Sequence, residues 1–391
     1  MIENKHKNIF LTSLFLLELA RTLPHAVLTI ILINKNVSLG QIALIQVFYM
    51  LAIIVLEFPS GIISDIFGRK RTYLLSVILF FISYTYIYFA NSFWHLAICW
   101  FIYGAASAME TGTLDITFTN IYKNDTYKLK RFISHMTITI STAAILGGFC
   151  GGVAYNFIDI NIYIISSILF LFSFIVVSFF FPKEKQLINS DNKINNKIKF
   201  KEFFTKLFNV LKRRDIIELL LLISTVQFFY QPFYQYWQVV LSDRGFLTSY
   251  FSLIYALFRF SNIISSIIFN RINYNRKNSI VLLLISLFFG LISGITNSNV
   301  LFFLSLVITL ITINIYALNL DAYLRENIDS DTASSMIGIS GTITRVFSVL
   351  VLLLCSTLVY LMSALNTIII CIVIFVVTSI ILICRFNFKY K

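Results

Sequence analysis

The sequence predicts an all-α integral membrane protein with twelve transmembrane helices in two pseudo-symmetric six-helix bundles. Composition is the first reason: 58% of the 391 residues are hydrophobic and only 13% are charged, whereas soluble domains carry about 25% charged residues. Patterning is the second: the apolar residues gather in runs of about 20 residues or more, the length that crosses a bilayer. The third is charge placement, since most lysines and arginines sit in alternate connections between those runs, the asymmetry that keeps cationic loops in the cytoplasm.

The spans are read in order at residues 8–33, 39–64, 72–91, 93–121, 132–155, 158–181, 216–240, 247–271, 279–297, 299–323, 333–359 and 364–384. The first contains Glu18, Arg21 and His25. The apolar stretch of a cleavable leader would not tolerate them, so this span is expected to be retained as a helix. The sixth span stops at Pro182, where the longest polar stretch begins, rich in Lys and Asn and running to Arg214. It divides the spans six and six, giving an N-terminal bundle at 1–181, a cytoplasmic linker at 182–214 and a C-terminal bundle at 215–391. Within the linker, Phe200–Leu211 has the spacing of a short amphipathic surface helix; a flexible connector fits equally well.

Of the 31 cations, 26 fall on the side of the two termini, Lys35 and Arg244 fall on the other, and Arg21, Arg259 and Arg345 lie inside spans. This bias expects both termini in the cytoplasm of a multi-pass cell-membrane protein. The net charge of +13 is then a matter of topology, and no nucleic-acid partner is implied. The five cysteines, Cys99, Cys150, Cys355, Cys371 and Cys384, all lie in apolar runs. An odd, scattered set argues against a disulfide framework or a metal site, and they are expected to be core filler.

The halves echo each other at an offset near 206. Leu114-Asp115 matches Leu320-Asp321, Pro24 has Pro232 close to its matching place, and Glu57 and Asp65 fall opposite Asn262 and Asn270.

Ionisable groups inside spans are costly and mark functional sites. Glu18, Arg21 and His25 recur at i, i+3 and i+7, one helix face, and at about 1.5 Å per residue the first two lie near the midplane. A structural Glu–Arg pair and a protonatable site both fit. In span 4, Gly104, Ala108 and Gly112 form a small-residue stripe that Asp115 extends. Glu110 lies off it and is read as facing a cavity, so Glu18 and Glu110 are the proton-coupling candidates. Asp115, Asp321 and Glu57 are expected to be structural. In span 7, Gln227, Gln231, Gln235 and Gln238 share one stripe with Tyr234 among the surrounding aromatics; with Arg21, Arg259 and Arg345 they are the substrate-cavity candidates. Three deep arginines against two deep acids favour a substrate with an anionic group.

Between spans 2 and 3 the chain reads Gly61-Ile-Ile-Ser-Asp65-Ile-Phe-Gly68-Arg69-Lys70-Arg71. This fills every defining position of G-x-x-x-D-x-x-G-R-K/R and resembles the loop between helices 2 and 3 of major facilitator superfamily transporters. The resemblance implies two six-span halves with a substrate site between them near the midplane. It also implies a gating role for Gly61, Asp65, Gly68, Arg69 and Lys70. Asp65 would latch onto the dipole at the start of span 11, Thr332-Ala-Ser334-Ser335, and Arg69 and Lys70 would anchor the loop at the anionic leaflet. Drug/proton antiporters of the family carry an Arg four residues before the glycine of span 4, where this chain has Trp100, and a proline in the glycine pattern of span 5, where it reads Gly147-Gly148-Phe-Cys150-Gly151-Gly152.

No H-E-x-x-H, G-x-S-x-G or Walker A sequence is present, so neither an intramembrane enzyme nor an ATP-driven pump is expected, and no cofactor is implied. The expected function is proton-coupled export of a small organic compound, anionic or zwitterionic, by a monomeric carrier resembling compact bacterial exporters with the Glu57-Phe-Pro59-Ser60-Gly61 run. The expected partners are that substrate, protons and the lipid bilayer. Uptake of a small anionic nutrient and a non-transporting sensor of the same fold are the alternatives.

Overall fold

A computed structural model describes residues 2–111, 113–122, 125–182, 205, 214–269, 271, 275–326 and 333–385. Side chains are described within these ranges except at 2–4, 58, 62, 65, 126, 130, 214, 215, 325, 326 and 333–337. The surface helix expected at 200–211 (apart from Thr205), the Asp65 side chain and the side chains at the start of span 11 lie outside the described residues.

The described residues are helical, with no strand among them. Nine of their helical stretches are long and apolar enough to cross a membrane, or ten if Lys5–Ala26 and Leu28–Asn34, bent by 61°, count as one span. Each of the twelve expected segments overlaps one helix or a helix broken at one place. The chain divides into two compact units, Met1–Ile194 with Leu247–Ala256, and Asn195–Phe246 with Leu257–Lys391.

The first unit contains α1 (Ile2–Thr22), α2 (Leu28–Asn34), α3 (Leu39–Phe67), α4 (Arg69–Phe89), α5 (Phe93–Glu110), α6 (Leu114–Tyr122), α7 (Thr126–Ile158) and α8 (Ile162–Ile175). Its helices start where side chains can satisfy the first N–H groups: Ser38 and Gln41 form a capping box at α3, and Asp125 caps α7 through the Lys128 N–H at 3.0 Å. The core is aromatic. Phe80 stacks on Phe170 with ring centroids 5.5 Å apart, and Phe10 stacks on Phe118 at 5.6 Å. Ile164, Ile168 and Phe172 of α8 lie exposed, as lipid-facing side chains do, because lipid is as apolar as a protein core.

The second unit contains α9 (Arg214–Thr225), α10 (Gln227–Asp243), most of α11 (Phe251–Phe269), α12 (Arg276–Ile295), α13 (Asn299–Glu326), α14 (Ala333–Leu361) and α15 (Ala364–Arg385).

The weak sequence repeat is written more firmly in hydrogen bonds. Lys70, at the start of α4, donates from Nζ to the carbonyls of Ser178 (3.0 Å) and Phe181. Arg276, 206 residues later at the start of α12, donates to Cys384, which lies 206 residues after Ser178. Ser13 meets Ser173 at 2.7 Å, and Thr225 meets Ser379, the counterpart of Ser173, at 2.8 Å. Ser60 donates to Ala108 O and Ser265 to Ile311 O, tying matching helix pairs. Lys70 thus caps a helix end within its own unit, where it was expected to reach for lipid headgroups.

Four other expectations change. The signature stretch is not a loop: α3 runs helical through Gly61 and Asp65 to Phe67, Gly68 alone breaks it at φ 93, and Arg69 and Lys70 open α4. Positive φ with extended ψ is a conformation essentially restricted to glycine. Span 4 is two helices, since α5 stops at Glu110 and α6 starts at Leu114, so Asp115 does not extend the stripe of Gly104 and Ala108. Span 7, expected as one run over 216–240, is interrupted by a one-residue turn at Val226, and Pro232 lies inside α10. Of the cysteines, Cys99, Cys355 and Cys371 are buried, but Cys150 and Cys384 are exposed and are not core filler.

Candidate functional site

In the first unit the site grows from the failure of α1 to continue. Pro24 has no N–H to give and its ring crowds the preceding turn, so the chain after Thr22 tightens into a 3-10 turn, Leu23–Ala26. Thr22 supports the last turn by donating to Glu18 O at 2.7 Å. His25 lies in that turn and no longer shares the α1 face.

The glycines of α7 pack against the break. A Cβ on Gly147 would strike Thr22 Oγ1, and one on Gly151 would strike the Leu23 carbonyl. One on Gly152 would come within 3.0 Å of Ala26 Cβ and 2.5 Å of Ser252 Oγ. Only residues without a side chain let the two backbones approach this closely.

Arg21 sits one turn before the break. Its Nη1 lies 2.9 Å from Glu18 Oε1, the expected i, i+3 pair, and 3.6 Å from Glu110 Oε2. Nε donates to Tyr103 Oη at 3.4 Å. The guanidinium carbon is 5.2 Å from the Phe80 ring centre and 5.8 Å from that of Tyr103, within cation–π range. Tyr84 Oη donates to Arg21 O at 2.8 Å, holding the backbone at the end of α1. The Tyr103 ring stacks on Tyr49 at 5.0 Å.

Side-chain exposures of 17% for Arg21, 14% for Glu18 and 20% for Glu110 show a pocketed cluster that water-sized species still reach. One cation between two carboxylates carries a net negative charge when all three are ionised. Such a cluster has room for one proton.

In the second unit the break at Val226 puts Gln227 at the first position of α10. Gln231 Nε2 donates to Gln227 Oε1 at 2.9 Å, and Ser348 Oγ donates to the same oxygen at 3.1 Å. Beside them Tyr230 Oη donates to Asn314 Oδ1 at 2.6 Å, and Asn314 Nδ2 donates to Asn262 Oδ1 at 2.6 Å. Tyr230 stacks on Tyr234 at 5.8 Å, and Tyr234 is exposed.

The glutamine stripe is therefore not uniform. Gln227 and Gln231 join a polar network, Gln235 is half-buried, and Gln238 is buried in the unit's interior. Arg259 is half-buried on α11. Arg345 on α14 places Nη1 3.8 Å from where a Cβ of Gly341, one turn earlier, would lie.

The structure brings together Glu18, Arg21 and Glu110, and separately Gln227 and Gln231. Sequence reading missed Tyr103, Phe80, Ser348 and Asn314. Tyr103 lies two turns before Glu110 on α5 and shares its face, so helical spacing from Glu110 would have found it. Nothing in the local sequence marks Ser348, one small hydroxyl in an apolar helix.

A family model described as Major Facilitator Superfamily matches residues 10–350. The chain is 26% identical over 243 residues to an uncharacterized MFS-type transporter, YxaM, of Bacillus subtilis (strain 168), a match covering 60% of this chain and 58% of that one. It is 32% identical over 162 residues to an uncharacterized transporter of Buchnera aphidicola subsp. Schizaphis graminum (strain Sg), covering 40% of this chain and 39% of that one. The chain thus spans less than two thirds of the length of these curated relatives. Among solved structures, the nucleoside transporter NupG superposes with a TM-score of 0.76 at 15% identity, covering 98% of this chain and 100% of that one. A bacterial homolog of the human lysosomal transporter Spinster, inward-facing and occupied, superposes at 0.79 and 14% identity, covering 97% and 96%. A D-xylose–proton symporter superposes at 0.75 and 12% identity, covering 98% and 97%. At these identities the likeness is one of fold.

Proposed function

This chain belongs to the major facilitator superfamily, and on that premise we propose that it is a proton-coupled secondary carrier of a small polar organic compound, working by alternating access with bundles 1–181 and 215–391 as its halves. It is a transporter and not an enzyme. The observation that carries the coupling is the Arg21 cluster, in which Glu18 and Glu110 share one guanidinium. A proton on either carboxylate leaves the cluster neutral, and its loss restores the negative charge, so loading and unloading change the electrostatics of the site by one unit. The exposures of Glu18 and Glu110 support access for that proton.

Gln227, Gln231 and Tyr234 supply neutral donors and acceptors beside aromatic surface, suited to a solute with several polar groups. Arg21 is paired within the cluster, and Arg259 and Arg345 have interactions of their own, so an anionic group on the substrate is proposed from the excess of deep arginines over deep acids and not from any free guanidinium. A zwitterion remains compatible, because the cluster presents both signs of charge. The direction proposed is export by proton antiport from the cell, on the resemblance to compact exporters. Symport into the cell, as uptake of a small anionic nutrient, is the alternative, for which the deep arginines Arg21, Arg259 and Arg345 speak.

The test uses the purified full chain in proteoliposomes with uridine, D-xylose, glutamate and tetraphenylphosphonium as probes. Antiport predicts accumulation when the lumen is acid, and symport predicts it when the outside is acid. Glu110→Gln, and Glu18→Gln if it is the loading acid, should abolish gradient-driven accumulation yet spare counterflow exchange. Accumulation undiminished in both variants would remove these acids from the coupling.

A further inference from the structure

The two cations that break the charge asymmetry, Lys35 and Arg244, do the same thing in different units. Each is the residue that ends the outer segment of a broken span: Lys35 is the C-cap of α2, and Arg244 is the C-cap of α10. Each side chain crosses to the far end of the third span of its own unit. Lys35 Nζ donates to Ala90 O at 2.6 Å, Tyr88 O at 3.1 Å and Asn91 Oδ1 at 3.2 Å. Arg244 donates to Thr296 O at 2.8 Å and Ser293 O at 3.2 Å, and its guanidinium carbon lies 4.1 Å above the Phe302 ring. Ala90 is the C-cap of α4 and Thr296 the C-cap of α12, and the two are 206 residues apart.

Among the described residues neither cation has a carboxylate within ion-pair distance, and Lys35 is only 5% exposed. Burying an ammonium is costly unless its donors are all used. Here all three are, and they point at the negative end of a helix dipole. A surface cation left over from topology would be solvated and would not be built in this way twice.

We propose that Lys35 and Arg244 are a matched pair of positioning residues that fix the outer segments of the two broken spans, Leu28–Asn34 and Gln227–Asp243, to the ends of α4 and α12. Bending of spans 1 and 7 during transport is then confined to Leu23–Ala26 and Val226. Arg21 and Gln227 border those breaks, so the pins set where the candidate site residues pivot. The role in transport rests on the carrier reading above, but the pinning is tested without any substrate.

The experiment is hydrogen–deuterium exchange by mass spectrometry on the full chain in lipid nanodiscs. Lys35→Met should raise exchange across Leu28–Asn34 about tenfold or more, the factor expected from losing hydrogen bonds to a charged group. Exchange in Gln227–Asp243 should stay unchanged, and Arg244→Met should give the converse. Lys35→Arg and Arg244→Lys, which keep a cation and donors, should restore slow exchange. If Lys35→Met fails to fold, Lys35→Gln, which keeps one donor pair, should give a smaller rise in the same segment. Faster exchange confined to the last turn of α4, with Leu28–Asn34 unchanged, would overturn the proposal and leave Lys35 as a cap only. A rise that Lys35→Arg does not reverse would overturn it too. Failure of every probe to move in proteoliposomes would instead count against the carrier reading and leave the exchange result standing.

Discussion

Arg21 is the residue on which the first unit's polar interior turns. Taking away one member of a partly buried ion cluster costs more than the cluster contributes, because the remaining charges are left without a partner. Arg21→Gln would leave Glu18 and Glu110 without the cation they share. With side chains 14–20% exposed, solvent screens part of that cost, and the expected loss is about 1–3 kcal/mol. Adding Glu110→Gln should recover part of it, so the double variant should be more stable than the sum of the single changes. Thermal unfolding of the four proteins in one detergent measures the coupling. Strict additivity would mean that the 3.6 Å approach of Arg21 to Glu110 carries no energy.

At the scale of elements, the broken helices hold the site, and the glycines of α7 make the first break possible. Gly151→Ala would drive a methyl group into the Leu23 carbonyl, a backbone atom that cannot rotate aside. Overpacking of this kind costs about 1–3 kcal/mol, so a fall in melting temperature is expected, whereas Gly61→Ala, with nothing within 4 Å of its Cβ position, should be nearly neutral. Equal melting temperatures for the two variants would contradict the packing argument. The glycines were legible in the sequence as a cluster, but their target was not, since only the bend at Leu23–Ala26 brings a carbonyl to them. The breaks show the same limit. Pro24 marks the first by removing an N–H, whereas Val226 has no such mark, and Pro232 sits in a helix that stays continuous around it. The pair of Glu18 with Arg21 followed from helical spacing alone. Glu110 joined it only through packing between helices far apart in sequence, which no local pattern encodes.

Across the whole molecule, the spans and the signature stretch were legible because lipid imposes long apolar runs and the connections must carry the charge. The repeat was fainter in the sequence than in the bonds, because a cation reaching a carbonyl needs only a donor at the right place, and Lys70 and Arg276 meet that need equally. The matched hydroxyl pairs extend the point. Ser173→Ala removes two buried bonds between helices, to Ser13 Oγ and Ser13 O, and Ser379→Ala removes the one to Thr225; such bonds average about 0.6 kcal/mol in membrane proteins. The two losses should be small and additive, because the residues belong to different units and share no partner. A double variant much less stable than the sum would show that the units do not respond independently. The one-residue joint at Gly68 has a mechanical consequence. A polar loop would have slack and could take up a displacement at either end. Here Gly68 N donates to Ser64 O and Thr72 N donates to Gly68 O, both at 3.1 Å, so the residue is tied into the last turn of one helix and the first turn of the next. An axial shift at the end of α3 must therefore reappear at the start of α4, and through Lys70 at the carbonyls of Ser178 and Phe181.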